Sequence, residues 1–430
     1  MSLTRDELDW LAAHPGAVEA ASALALTKSS TVRDVGELRG AYGERARALV
    51  ELVSARRSAA AGGKMPADWW VCSDSAQQAT PSLVAAERAR VIRDALDDGA
   101  GAASGSGGAA AAVVADVTCS VGTELPHLAA HVALVIGGDL DPARLVMASR
   151  NIALGTDGGA DTTAATAART VLVRAVAVRP AFATGAVDVV VADPARRTAR
   201  GRIRDPKDLI PPLPDLLTAY GLDQDGHSAP GAPALAVKCA PGIDYSGWRG
   251  QVDVVSVDGG VKEACLYSRG LASHDRRAVV FRDGVRGEVT SSEDESDAVG
   301  EVGRYILDPD GAVVRAGLVR QYAARLGWWR LDPHIAYLTG DRLDDAVRAG
   351  LVPGQRVFEV LDTVPVKKLK AALAGLSCGR LEVLVRGVDL DPDELRKKMK
   401  LRGSESLTVV VARVGDTPVA VIGREAPLRG

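Results

Sequence analysis

The stretch Asp116-Val-Thr-Cys-Ser-Val-Gly122-Thr-Glu-Leu125 decides how this chain is read. It follows the apolar run Ala111-Ala-Val-Val-Ala115, which predicts a short buried strand. A strand that ends in small residues and a glycine lets the backbone approach a nucleotide-like group at the carboxyl edge of a parallel sheet. The motif is not Gly-x-Gly-x-x-Gly, because Thr118, Cys119 and Ser120 occupy its centre. It also lacks the Gly-Lys-Ser/Thr of a phosphate-binding loop. A dinucleotide or a triphosphate is therefore disfavoured. Taken alone, the motif also reads as an ordinary strand-to-helix turn.

Residues 125–130 predict a helix and 132–136 a second strand, ending near Asp139. In Gly137-Gly-Asp139-Leu-Asp141-Pro142 the Asp139 carboxylate lies one strand-helix-strand step from Asp116 and can accept hydrogen bonds from ribose hydroxyls. Asp141 suits the N-cap of a helix that opens at Pro142 and runs over 144–154. Residues 155–169, rich in Gly, Ala and Thr, read as a loop. Strands follow at 170–178, 187–192, 234–237, 252–257 and 278–282. This alternation predicts parallel strands with helices on both faces. The fourth strand runs into Asp193-Pro194-Ala-Arg196-Arg197. There a carboxylate can orient an acceptor and the arginines can bind phosphate, the alternative being a proline turn with a solvated basic pair. The fifth runs into Lys238-Cys-Ala-Pro-Gly242, which points Lys238 into the same crevice or leaves it on an exposed turn.

The 430 residues include 52 Lys and Arg and 55 Asp and Glu, for a net charge of −3. That balance argues against a chain coated in nucleic acid but permits a local basic patch. Aromatics are 4% of the chain, so its cores must be aliphatic. Five scattered cysteines without a Cys-x-x-Cys pair predict neither a disulfide framework nor a zinc knuckle, and six histidines show no metal-ligand spacing. No metal is expected. The polar first ten residues carry no signal-peptide core, and no apolar run reaches the roughly 18 residues of a membrane span. A cytoplasmic protein is expected.

Residues 1–98 predict a helical N-terminal region. Thr4-Arg-Asp-Glu7 forms a capping box there, and Thr80-Pro81 reads as the N-cap and first residue of a later helix. Residues 99–287 hold the Rossmann-like sheet, entered through a Gly/Ala/Ser connector at 99–110. The acidic, serine-rich stretch 288–301 reads as a boundary, and 300–430 predict a small α+β domain. From 361 to 430 there are 13 Lys and Arg against 9 Asp and Glu. Arg396-Lys397-Lys398-Met-Lys400-Leu-Arg402 places five cations in seven residues. Such a run can neutralise phosphates. It also reads as a solvated helix face, since Asp391, Asp393 and Glu394 precede it and suit a helix N-terminus.

The ordered set Asp-x-x-Cys-x-x-Gly, Gly-x-Asp-x-Asp-Pro and Asp-Pro-Ala-Arg-Arg resembles the S-adenosylmethionine-dependent methyltransferases of class I, and within them the bacterial enzymes with a C-terminal THUMP-like domain. Gln77-Gln-Ala-Thr-Pro81, Lys238-Cys-Ala-Pro-Gly-Ile-Asp244, Ser256-Val-Asp-Gly-Gly-Val-Lys-Glu263, Leu331-Asp-Pro-His334 and Lys400-Leu-Arg-Gly403 extend the likeness from about residue 66 to the end. The resemblance implies S-adenosylmethionine as cofactor, held by Asp116, Thr118, Cys119, Gly122 and Asp139, with Gln78 and Thr80 reaching it from upstream. It implies Asp193 and Pro194 as the catalytic pair. Arg196, Lys238, Lys397, Lys398, Lys400 and Arg402 become the substrate cations, for an RNA substrate (tRNA or rRNA) gripped by the THUMP-like domain.

Three features depart from the family pattern. Ser120 stands where Gly is usual and fits if its φ is negative. Val176 stands where an acidic residue would hold adenine. Asp-Pro-Ala-Arg lacks the aromatic that stacks on a flipped base. A methyltransferase of protein or small molecules, and a cofactor-binding but inactive RNA-binding protein, both stay open at this point. Cys239 reads foremost as a buried core residue, with a nucleophilic role as the lesser reading.

Overall fold

The computed structural model describes residues 3–99, 107–155, 160–195, 197–198, 201–415 and 417–428. Residues 100–106 of the predicted connector lie outside this set, as does Arg196. Six helices come first: α1 (Arg5–Ala13), α2 (Pro15–Ala23), α3 (Thr31–Tyr42), α4 (Ala46–Ala61), α5 (Ser73–Gln78) and α6 (Ser82–Asp97). The capping box opens α1, with Thr4 Oγ1 accepting from the Glu7 N–H at 3.3 Å and Glu7 Oε2 from the Thr4 N–H at 2.9 Å. Pro81, not Thr80, caps α6. Its carbonyl accepts from the Val84 and Ala85 N–H groups, so the helix proper begins at Ser82. Leu8, Leu11, Leu38, Leu49 and Leu52 share one core with Trp69 and Met147.

The sheet elements follow: β1 (Val113–Asp116), α7 (Leu125–Ala129), β2 (Leu134–Asp139), α8 (Pro142–Leu154), α9 (Ala160–Ala168), β3 (Thr170–Arg174) and β4 (Val189–Ala192). After them come the short ribbon β5 (Arg197–Thr198) and β6 (Gly201–Arg202), then α10 (Leu213–Ala219), β7 (Ala234–Cys239), β8 (Gln251–Val257), β9 (Gly260–Tyr267), β10 (Arg276–Arg282) and β11 (Val285–Thr290). The chain forms two compact units, Met1–Gln251 with Ala264–Ser273, and Val252–Glu263 with His274–Gly430.

In the first unit β7, β4, β1, β2 and β3 lie side by side in that order, all parallel. Connections run from β1 to one side and then return to the other, so the order reverses between β1 and β4. The crevice outside the strand ends at such a reversal is where α/β proteins bind ligands. Asp116 sits there, level with Gly137 on one side and Val191 on the other. Two expectations change. Residues 160–168 form a helix, not a loop, because an Ala-rich segment has high helix propensity. The sheet is also mixed, since the end of β9 runs antiparallel to β7. Asp258-Gly259 and Asp283-Gly284, all at positive φ, turn β8 into β9 and β10 into β11. Asp-Gly between apolar runs is a hairpin signal that the parallel reading passed over.

The second unit continues with β12 (Tyr305–Leu307), α11 (Gly311–Ala316), α12 (Val319–Leu326), β13 (Trp329–Asp332), β14 (Ile335–Gly340) and α13 (Asp345–Gly350). It ends with β15 (Phe358–Pro365), α14 (Leu369–Gly375), β16 (Cys378–Arg386), α15 (Pro392–Met399), β17 (Glu405–Val414) and β18 (Thr417–Glu425). Its sheet runs β13-β14-β12-β15-β18-β17-β16. The acidic stretch near 293 lies inside this unit and is ion-paired: Glu293 with Arg325 at 2.5 Å, and Glu295 and Asp297 with Arg320 at 2.7 and 2.6 Å. Among the described residues no helix is long and apolar enough to cross a membrane.

Candidate active site

A cavity of about 350 Å³ opens at the reversal between β1 and β4. Asp116, Thr118, Cys119, Asp139, Asp193, Lys238 and Gln78 all line it, so the four sequence motifs converge. Gly122, Thr80 and Pro194 do not. A Cβ on Gly122, at φ +87, would press on Ala148 at 3.3 Å, so this glycine admits α8 rather than a ligand.

The walls are tied together by hydrogen bonds. The Thr118 N–H donates to Asp116 Oδ1 at 3.1 Å, and the Asp193 N–H donates to Thr118 Oγ1 at 2.5 Å, which joins the loop after β1 to the loop after β4. Asn151, fully buried on α8, donates from Nδ2 to the carbonyls of Trp70 and Val121, both at 2.9 Å. It also accepts from the Trp70 N–H. One side chain thereby fixes the loop after β1 against the segment that leads into α5, and α5 supplies Ser75 and Gln78 to the cavity. Asp139 accepts from the Ser120 N–H at 3.0 Å and the Asp141 N–H at 2.8 Å, one per oxygen. Asp141 caps α8 through the Ala143 N–H, as its position before Pro142 predicts.

Ser120 stands at φ +51, against the negative φ expected of it. The left-handed turn aims its N–H at Asp139. Such a conformation costs a non-glycine residue roughly 1 kcal/mol. Ser120→Gly is therefore expected to raise stability by about that amount in urea unfolding, with the Asp139 contact kept.

Lys238 lines the crevice, the first of the two placements read from the sequence, and does not stand on an exposed turn. It is buried, with Nζ 2.8 Å from Asp193 Oδ2 and 3.2 Å from Glu124 Oε1. Glu124 in turn accepts from Arg88 Nη1 at 2.6 Å. The sequence reading missed Arg88 and Glu124, because each looks locally like a solvated helix charge. Burial would raise the Glu124 pKa, but Arg88 and Lys238 together hold it at about 2. Burial and the neighbouring Glu124 push Asp116 up to about 7. Cys119 is pushed up by burial, Asp116 and Asp139, and is no thiolate. Cys239 is fully buried in β7, in line with its core reading.

In the second unit Lys397 and Lys400 line a groove of about 770 Å³, together with Arg356, Arg380, Arg396 and Arg424. Lys398 and Arg402 lie outside its wall; Lys398 stands 3.7 Å from Glu394. Arg356 is paired with Glu382 and Glu425, Arg424 with Glu405, and Arg396 with Asp393. Arg380, Lys397 and Lys400 have no ion-pair partner among the described residues.

Five parallel strands with a cavity at their reversal point and an acid after the second strand form a Rossmann-like, nucleotide-binding type of fold. Two proteins from two strains of Mycobacterium tuberculosis, each named an uncharacterized S-adenosylmethionine-dependent methyltransferase, are 40% identical to this chain over 395 residues, 88% of it and 96% of them. The chain belongs to this family of S-adenosylmethionine-dependent methyltransferases. A family model described as THUMP domain-like matches residues 355–425, which carry the basic groove. A crystal structure from Porphyromonas gingivalis W83, assigned as a methyltransferase, covers 99% of this chain and 100% of its own with a TM-score of 0.64. At 17% identity that agreement is one of fold.

Proposed function

We propose that this methyltransferase modifies RNA in the cytoplasm, with residues 300–430 as the substrate handle. The observation that carries the proposal is the groove in the THUMP-like region, where Arg380, Lys397 and Lys400 form no ion pair among the described residues. Cations so placed neutralise backbone phosphates and release bound counterions. Five cysteines without a disulfide suit a reducing compartment.

The cavity fits S-adenosylmethionine by its donor set. Each Asp139 oxygen accepts one backbone N–H and retains a lone pair for a ribose hydroxyl. Leu140, Ala175, Val176 and Ala177 offer an apolar wall to a base, in place of the acidic contact that Val176 lacks. Gln78 and Thr118 are among the polar side chains of the same cavity. When bound, the cofactor supplies an electrophilic methyl carbon on a sulfonium. The protein supplies alignment of the acceptor with that carbon. Asp193, held through its N–H by Thr118 and through its carboxylate by Lys238, orients an acceptor bearing N–H or O–H.

The test uses the full-length enzyme, tritiated S-adenosylmethionine, and separate tRNA and rRNA pools. Wild type is expected to label one pool. Asp139→Ala should abolish labelling but leave RNA binding intact. Lys397→Glu with Lys400→Glu should weaken RNA binding by at least about tenfold and reduce its salt dependence by about two charges, with cofactor affinity unchanged. RNA affinity unaffected by the double variant would sink the handle. Labelling of protein or small molecules alone would sink the RNA substrate.

A further inference from the structure

Among the described residues nine large apolar side chains are exposed, and three of them, Leu140, Val176 and Ile210, line the cavity at the sheet reversal. Exposed apolar side chains scattered singly are ordinary, whereas several on one cavity mark a contact surface. The strand order divides the three. β1 lies between β4 and β2, and β3 lies beyond β2. Leu140 follows Asp139 at the end of β2, and Val176 follows the end of β3. Both therefore stand on the side of the ribose-binding acid. Ile210, 57% exposed, stands on the other side, beyond the end of β4. A bridge places it there: the Ala195 N–H donates to the Ile210 carbonyl at 2.7 Å, and the Ile210 N–H donates to the Ala195 carbonyl at 3.4 Å. Asp193, Ala195, Ile210 and Pro211 all line the cavity. Leu209, Leu213 and Leu216 are buried, so core packing holds the backbone at Ile210 while its own side chain stays at the cavity mouth.

An acceptor that reaches the methyl carbon beside Asp193 meets Ile210 as well. Asp193 offers a carboxylate to an N–H, and Ile210 with Pro211 offers an apolar face. A polar edge beside an apolar face suits a flat heteroaromatic ring, whose edge carries the N–H and whose face packs on aliphatic carbon. A flexible aliphatic amine presents no such face. We propose that Ile210 is a specificity-determining residue for the methyl acceptor, packing on the face of a heteroaromatic ring whose N–H is held by Asp193. It takes the place of the aromatic side chain that Asp-Pro-Ala-Arg lacks, and it arrives from a different point of the chain through the Ala195 bridge. The identity of the ring as a nucleobase rests on the RNA reading; the contact itself does not.

Two measurements on the full-length protein test this. The chain has nine isoleucines, so protein labelled at the isoleucine δ1 methyls gives a sparse NMR spectrum, in which Ile210→Val identifies one signal. With the cofactor cavity filled by S-adenosylhomocysteine, adenosine, guanosine, cytidine and uridine are added in turn. At least one should move the Ile210 signal upfield, as a ring stacked on the methyl does, and leave that of the buried Ile422 in place. A signal that stays in place with all four nucleosides, or that S-adenosylhomocysteine alone moves in full, overturns the proposal. In the tritium assay Ile210→Ser should raise KM for the labelled RNA and lower kcat/KM by at least about tenfold, and Ile210→Leu should restore most of the loss, with cofactor affinity unchanged in both. No loss in Ile210→Ser, or an equal loss in both variants, overturns it too. RNA left unlabelled by wild type while a nucleoside moves the Ile210 signal would sink the RNA substrate and keep the ring contact. RNA labelled while no nucleoside moves that signal would sink the ring contact alone.

Discussion

Asp116→Asn is expected to make the fold more stable at pH 8, by on the order of 3 kcal/mol, while changing it little at pH 4. The sign follows from a folded-state value of about 7 against an ordinary 3.8. Near pH 4 and below, folded and unfolded chains both hold the proton. Between about 4 and 7 only the folded chain holds it, so wild-type stability falls as pH rises. Above 7 the full cost of a buried carboxylate beside Glu124 is present. Three pH units of displacement correspond to about 4 kcal/mol, less the cost of burying a new amide N–H. Asparagine keeps an oxygen to accept from the Thr118 N–H. Urea unfolding at pH 4 and pH 8 reads the difference. A variant less stable than wild type at pH 8 would mean that Asp116 is a satisfied carboxylate.

Glu124→Gln should act in the opposite direction. Arg88 and Lys238 are both buried, and Glu124 touches both. Neutralising it removes one ion-pair partner from each of the two buried cations. Removing one member of a buried pair typically costs about 3–5 kcal/mol. The pH linkage agrees: a carboxyl held at about 2 rather than 4.5 contributes about 3 kcal/mol above pH 4.5, lost as pH falls toward 2. The measurement is urea unfolding at pH 7, with Arg88→Met and the double variant to complete a cycle. The double variant should recover a substantial part of the loss, because both ends of the 2.6 Å contact are then uncharged. Strictly additive losses would show that the two groups do not stabilise each other.

The strands that carry the site were readable because their signals are local. An apolar run that stops at Asp116, at Asp139 or at Asp193 marks a strand end, and the alternation with helices makes those ends meet at one sheet edge. Asp141 before Pro142 announced its cap in the same way. The basic run around Lys397 was visible, yet its groove was not. Arg380 and Arg424 join it from β16 and β18, elements placed by sheet pairing and not by sequence proximity.

The amino-acid sequence by itself determined the Rossmann-like sheet, the meeting of its strand-end residues at one edge and the THUMP-like region after it, because hydrophobic periodicity and strand-end residues act over a few neighbouring positions. Only the tertiary structure decided the state of the charges. Arg88 and Glu124 look like ordinary solvated residues where they stand in the chain, and nothing there pairs Lys238 with Asp193 or Glu124. Folding removes them from water together, and in that dry setting their mutual distances, not their sequence context, fix which carboxylate keeps a proton.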